Sequence, residues 1–237
     1  MSDPEISLII PAYNEGPRIA ATLARVCGYF DAQPYAWEVI VVRDGGRPDT
    51  TSQARAAAGA RANVRVIDNE ENHGKGFAVR QGFSEARGRT LIFIDADLSL
   101  PVEAVAAMRE RFLAGADVVI ASRRVPGARE EGTPFPLRGV MGRVFNVIVQ
   151  AIAVRGYKDT QCGCKGFRAE AARKIFAAQT IDRFGFDVEV LYLAQQLGYR
   201  IDEIPVVCTY HAGSSVNRAG DVLRMLADLV KIRWRHL

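Results

Sequence analysis

The chain has 237 residues, 49% apolar and 24% charged, which is ordinary globular usage and excludes a disordered or collagen-like polymer. Its net charge of +4 suits an anionic small molecule or membrane surface and does not call for nucleic acid. No stretch reaches the ~20 apolar residues of a membrane span. The first residues lack the basic and apolar regions of a signal peptide, so a cytoplasmic chain, soluble or peripheral to a membrane, is expected.

Over the first 121 residues, short apolar runs alternate with helical patterns. Ile6–Ile10, Trp37–Val42, Val64–Ile67, Thr90–Ile94 and Asp117–Ile120 read as strands. They are rich in β-branched residues and do not alternate with polar ones, as expected of a parallel sheet buried on both faces. Helices are predicted over 17–30, 50–60, 75–87 and 101–114. Pro17 and Pro101 stand where a first helical residue belongs, and Asp49 and Thr50 offer capping oxygens. The pattern predicts a doubly wound α/β domain whose ligands bind at the carboxyl ends of the strands.

Residues 122–137, with three prolines and two glycines, read as a loop. From Val140 to Val154 an apolar run is broken only by Arg143, Asn146 and Gln150, a narrow polar stripe on a helix. It reads equally as a buried core helix and as one resting on lipid. Further helices are predicted at 169–178 and 187–197, and a strand from Arg200 to Val207. The segment 218–237 carries five basic and two acidic residues. Val222, Leu223, Leu226, Leu229, Val230 and Leu237 make one apolar face, with Arg224, Lys231, Arg233 and Arg235 around it. Asp221 and Asp228 stand at pairing distance from Arg224 and Lys231, as on a salt-bridged surface helix; interfacial contact is the favoured reading. Cys27, Cys162, Cys164 and Cys208 are too irregular for a disulfide framework or a zinc site and read as reduced thiols.

The chemistry concentrates at strand ends. Asp95-Ala96-Asp97 follows the strand Leu91–Ile94, and extended backbone turns both carboxylates to one side. Two hard oxygen ligands with open positions suit Mg2+ or Mn2+ shared with substrate phosphates; by itself the doublet also fits a solvated turn. The first strand runs into Pro11-Ala12-Tyr13-Asn14-Glu15 and the second into Arg43-Asp44-Gly45-Gly46. An aromatic face and carboxylates at these turns suit a nucleobase and ribose. Neither a dinucleotide-binding glycine motif nor a Walker loop is present.

These motifs, with Asn72-His73-Gly74-Lys75-Gly76 and Asp95-Ala96-Asp97-Leu98-Ser99, resemble family 2 inverting glycosyltransferases of the GT-A fold. Ala121-Ser122-Arg123, Asp159 to Phe167, Phe186-Asp187-Val188-Glu189, Glu203-Ile204-Pro205-Val206 and Gly213-Ser214-Ser215-Val216 resemble the dolichyl-phosphate β-glucosyltransferase branch, a relative of the polyprenyl-phosphate mannose synthases. The resemblance spans about residues 5–235. It implies a Rossmann-like, mostly parallel GT-A domain over 1–217 and a carboxyl-terminal amphipathic helix over 218–237. It also implies hexose transfer, from UDP-glucose or alternatively GDP-mannose, to a polyprenyl phosphate at the cytoplasmic membrane face. A silent nucleotide-sugar-binding module is the reading from another class. Residue by residue, the resemblance puts Pro11, Tyr13, Glu15, Asp44 and Lys75 on the nucleotide, and Asp95 on ribose, sugar or metal. Asp97 would ligate the metal, Arg123 and Arg138 would meet the acceptor phosphate, and Gln161, Asp187 and Glu189 would line the sugar pocket. The expected catalytic set is thus Asp97, Asp187, Arg123 and Arg138. The chain departs from the family at Arg43, where an acid is usual, and at Ser215, where lysine is frequent. His73 and His211 are kept outside the catalytic set.

Overall fold

The β-branched runs of the first half become five strands of a seven-stranded sheet in the computed structural model, which describes residues 3–132, 146–209 and 219–236. The strands of the first half are β1 (Ile6–Ala12), β2 (Trp37–Asp44), β3 (Val64–Asn69), β4 (Thr90–Ile94) and β5 (Val118–Ser122). Then come β6 (Arg129–Glu131), β7 (Cys164–Arg168), β8 (Ile201–Pro205) and β9 (Val207–Thr209). The large sheet has the order β3-β2-β1-β4-β7-β5-β8, and β6 and β9 form a separate parallel pair. Leu8, Ile9, Ile10, Ile40, Val41, Ile92 and Phe93 are fully buried. That explains why these strands show no polar alternation: helices cover both faces.

The helices are α1 (Gly16–Asp31), α2 (Asp49–Ala58), α3 (Lys75–Glu85), α4 (Ala104–Leu113), α5 (146–152), α6 (Ala169–Ala178), α7 (Phe186–Gln196) and α8 (Ala219–Arg235). Helices α1 and α2 pack on each other, while α3 packs on β1 and β2 and meets α6 and α7. From β1 the chain winds outward to β2 and β3, then returns to lay β4 on the other side of β1. The crevice between the carboxyl ends of β1 and β4 is therefore a topological switch point, where open α/β sheets bind ligands.

Some local expectations are corrected. Strand β7 was not anticipated; it runs antiparallel between β4 and β5, with Phe93 opposite Lys165 and Val119 opposite Gly166. Its sequence, Cys-Lys-Gly-Phe-Arg, has neither alternation nor a β-branched run, and pairing on both sides supplies what propensity lacks. Asp49 does not cap α2, which has no side-chain cap; it pairs with Arg47 at 2.8 Å. Thr50 instead accepts a bond from the Glu15 amide at 3.0 Å, tying α2 to the turn after β1.

In α5 the one stripe residue with described partners, Asn146, turns inward. Asn146 donates to the Lys158 carbonyl and accepts from the Thr160 hydroxyl, both at 3.0 Å, whereas Val147 and Ile152 are exposed and Val149 is buried. Residues 140–145, including Arg143, lie outside the described residues. In α8 the face toward the domain is Met225, Leu229 and Ile232, and Val230 points away from it, 64% exposed, beside Trp234 at 81%. The single apolar face expected there is thus split. Asp228 pairs with Lys231 at 3.0 Å as the spacing predicted, and the side chains of Asp221, Val222, Leu223 and Leu237 lie outside the description. All four cysteines are buried free thiols.

Candidate active site

Three turns meet at the switch point. After β1 the chain turns through Asn14, whose φ of 58° lies in the left-handed region that asparagine tolerates. Its Oδ1 accepts from the Arg47 amide at 2.8 Å, which joins this turn to the one after β2. That second turn carries two glycines at φ 70° and 76°. A Cβ on Gly46 would lie 2.5 Å from Asn14 Oδ1 and 2.9 Å from the Tyr13 ring, so only glycine lets the two turns close. Tyr13 is left 46% exposed, an open aromatic face at the crevice. Pro11 is a half-buried residue of β1, opposite Val42.

The third turn follows β4. The Thr22 hydroxyl of α1 donates to the Ala96 carbonyl at 2.6 Å, and Asp97 Oδ1 accepts from the Ser99 amide at 2.9 Å. Leu98 is held at φ 47°, a conformation costly for a branched side chain and concentrated at functional sites. The Asp95 amide donates to the Gly163 carbonyl at 2.9 Å, and a Cβ on Gly163 would lie 2.2 Å from Asp95 Oδ2. The antiparallel insertion thus brings a bare backbone against the Asp95 carboxylate.

Charge at this turn is dense. Asp95 pairs with Lys75 at 2.6 Å, and Glu15 with Arg18 at 2.8 Å. Burial raises the Glu15 carboxyl above its ordinary value; Arg18 opposes this, and Asp97 and Asp95 add to it. Burial likewise raises Asp95, against the pull of Lys75 and with the push of Asp97 and Asp187. Burial alone would lower the Lys75 ammonium, but Asp95 and Asp187 outweigh it and hold it above its usual value. Among the described residues no three His, Cys, Asp or Glu side chains form a preformed metal cage. The donor set is two hard carboxylates on one rigid turn with an acid nearby that feels both. That fits a cation completed by substrate oxygens, the usual arrangement for Mg2+.

Other expected site residues prove to have structural partners. Asp44 is 3% exposed, and its oxygens accept from the His73 amide at 3.0 Å and the Gly74 amide at 2.6 Å. It anchors the loop that delivers Lys75 to the site. Arg43 is buried against Asp68 and donates to the Gly46 carbonyl at 3.0 Å, so the residue that departs from the family is a strut of its turn. Arg123 grips Asp159 side-on, Nε to Oδ2 at 2.7 Å and Nη2 to Oδ1 at 2.8 Å. The fork expected to meet a phosphate is therefore engaged within the protein through Nε and Nη2, and Nη1 has no hydrogen-bond partner among the described residues. Gln161 is half-buried, its carbonyl 3.4 Å from Arg123 Nη2.

Asp187 is buried at the start of α7 and paired with the fully buried Lys165. Glu189 is fully buried too: its carboxylate accepts from the Thr180 amide and hydroxyl, the Ile181 amide at 2.8 Å and faces His236 at 2.8 Å. It holds the segment before α7 and the end of α8, so the carboxylate expected to line a sugar pocket has protein partners here. Arg138, His211 and Ser215 lie outside the described residues. Sequence reading passed over Asp159, Lys165, Thr22 and Gly163 as functional supports. Each acts through a partner distant in sequence, so no local pattern marks it.

Residues 7–176 match the family described as Glycosyl transferase family 2. A dolichyl-phosphate beta-glucosyltransferase of Drosophila melanogaster is 36% identical over 98% of this chain and 76% of its own length. That of Homo sapiens is 31% identical over 98% and 76%. Among solved structures, glucosyl-3-phosphoglycerate synthase from Mycobacterium tuberculosis, in complex with Mn2+, UDP-glucose and phosphoglyceric acid, superposes with a TM-score of 0.74. That match covers 98% of this chain and 80% of the other at 18% identity, a likeness of fold.

Proposed function

The chain belongs to glycosyl transferase family 2, and we propose that it moves glucose from UDP-glucose, with inversion, onto a polyprenyl phosphate of the dolichyl type. The observation that carries this reading is the Asp95–Lys75 pair beside Asp97 at the switch point, in a chain that aligns over 98% of its length with dolichyl-phosphate glucosyltransferases. Tyr13 offers a face for the uracil, and Glu15 an acceptor for ribose hydroxyls. Asp44 acts by holding the loop of Lys75, whose ammonium is a point charge for the donor diphosphate. Asp97, with Asp95, would hold Mg2+ or Mn2+. Bound there, the metal supplies Lewis-acid stabilisation of the departing diphosphate.

The acceptor needs little activation. A phosphate monoester has its second pKa near ~6 and is mostly dianionic at neutral pH, so its oxygen is already a nucleophile. The protein's task is to position it for in-line attack on the anomeric carbon, opposite the diphosphate. Arg138 and the Nη1 of Arg123 are assigned to its charge, and Gln161 to the sugar side; Asp187, buried and paired with Lys165, is assigned to no substrate. Among the described residues no helix is long and apolar enough to cross a membrane. We therefore assign the approach to the lipid to exposed surface: Val230 and Trp234 of α8 among Arg224, Lys231, Arg233 and Arg235, with the chain at the cytoplasmic face.

A donor panel tests the reading. UDP-glucose, UDP-galactose, UDP-GlcNAc and GDP-mannose are offered with a polyprenyl phosphate, with and without Mn2+. Glucosyl transfer from UDP-glucose that stops with EDTA is expected. Transfer from GDP-mannose alone would reassign the donor, and nucleotide binding without transfer from any donor would make the chain a binding module.

A further inference from the structure

Four charged groups run from the open crevice into the core. Asp95 meets Lys75 Nζ at 2.6 Å, and that ammonium stands 5.5 Å from the centre of the Phe93 ring and 5.9 Å from that of Phe186. Lys165 Nζ stands 5.5 Å from the Phe93 ring centre, pairs with Asp187 and donates to the Cys162 carbonyl at 2.9 Å. Both lysines thus share one aromatic side chain, each with its own carboxylate.

The inner pair is dry. Lys165 is 0% exposed and Asp187 4%. A buried ion pair is seldom more stabilising than apolar residues of similar volume, so its presence is poorly explained by stability. Removing one partner has a specific consequence here. Without Lys165 the Asp187 carboxylate is buried and uncompensated, and the other ammonium that feels its charge, more weakly than that of Asp95, is Lys75, against the same Phe93 ring. The two ammonium groups also repel each other.

We propose that Lys165 is a positioning residue for the donor site: by neutralising Asp187 it reserves Lys75 for Asp95 and the donor diphosphate. This rests on the donor-site reading above and adds a residue that touches no substrate. The device works because Lys75 has two carboxylates to choose between, and only the outer one leaves its ammonium at the crevice. Lys165 also holds the Cys162 carbonyl, next to the Gly163 backbone that lies against Asp95, so both supports of that carboxylate trace to one buried ammonium.

The test measures UDP binding by calorimetry in Mn2+, without turnover. Lys165→Met is expected to weaken UDP about tenfold, and Lys165→Met/Asp187→Asn to return it to within about threefold of wild type. Lys75→Met, which weakens UDP in the wild-type background, is expected to add at most about twofold on Lys165→Met, because Lys75 has already been drawn away. A full Lys75→Met effect in that background would mean Lys165 is only structural and would overturn the proposal. So would a double variant that binds no better than Lys165→Met. Should Lys165→Met fail to fold, Lys165→Gln, which also removes the charge but keeps a donor for the Cys162 carbonyl, takes its place in the same cycle with Lys75→Met, and a full Lys75→Met effect in that background overturns the proposal. A wild-type protein that binds no UDP would overturn the donor-site reading, and this inference with it; the variant outcomes bear on the inference alone.

Discussion

Asp97 and Arg123 entered as site residues of one kind, and their surroundings separate them. Asp97 has one oxygen on the Ser99 amide, an acceptor role that asparagine also fills. Asp97→Asn should therefore leave the melting temperature nearly unchanged while removing the Mn2+-stimulated part of turnover, by roughly 100- to 1,000-fold as for other aimed electrostatic contacts. Thermal melts and a metal titration of activity check both halves. Arg123 is a different case, because its fork holds Asp159. Burial alone would raise the Asp159 carboxyl, but the guanidinium prevails and holds it below its usual value. Arg123→Lys keeps the charge and loses the fork, with an expected loss of roughly 1.5–3 kcal/mol of stability at neutral pH. Since the folded carboxyl is depressed, this stabilisation is present above the ordinary aspartate range and lost as pH falls through the depressed value. Urea denaturation should show the variant and wild type converging in acid; a gap that persists would place the effect elsewhere.

Among the elements, β7 decides most. Its insertion between β4 and β5 places Lys165 in the core and Gly163 against Asp95. Gly163→Ala tests that contact, since its Cβ would lie 2.2 Å from Asp95 Oδ2. The carboxylate that pairs with Lys75 must shift, so UDP affinity in Mn2+ should fall at least about tenfold. The stability cost should stay within the roughly 1–3 kcal/mol of ordinary overpacking. Unchanged affinity by calorimetry would show that Asp95 has room to move without consequence. Helix α7 carries the complementary lesson. Its two acids look alike in sequence, yet Asp187 belongs to the charged row and Glu189 to the scaffold of the segment before it.

Across the whole molecule, the open crevice and the outer face of α8 divide the work proposed for them. Apolar burial of Trp234 and Val230 and attraction of four basic side chains to anionic headgroups would act together, the latter screened within ~8 Å at physiological salt. Binding to phosphatidylglycerol vesicles should weaken as salt rises. It should fall further when Arg224, Lys231, Arg233 and Arg235 become glutamine and Trp234 becomes serine. Transfer to a short water-soluble prenyl phosphate should survive those changes, because none of these side chains is assigned to the donor or to the acceptor phosphate. Flotation indifferent to salt and to the replacements would leave α8 as ordinary surface.

The sequence by itself determined the parallel half of the sheet, the strand ends that bear Tyr13, Glu15, Lys75, Asp95 and Asp97, and the family. Those features are local: buried parallel strands need unbroken apolar runs, and turn chemistry needs particular residues at consecutive positions. Only the tertiary structure decided that Arg123 is tied to Asp159, that Glu189 is scaffold, that α8 buries Met225, Leu229 and Ile232, and that Lys165 enters the core. Each of these depends on a contact made outside the residue's own element, most of them between residues far apart in the chain. A charged side chain carries no mark of whether its partner will be water, a substrate or a carboxylate brought to it by a strand inserted from elsewhere.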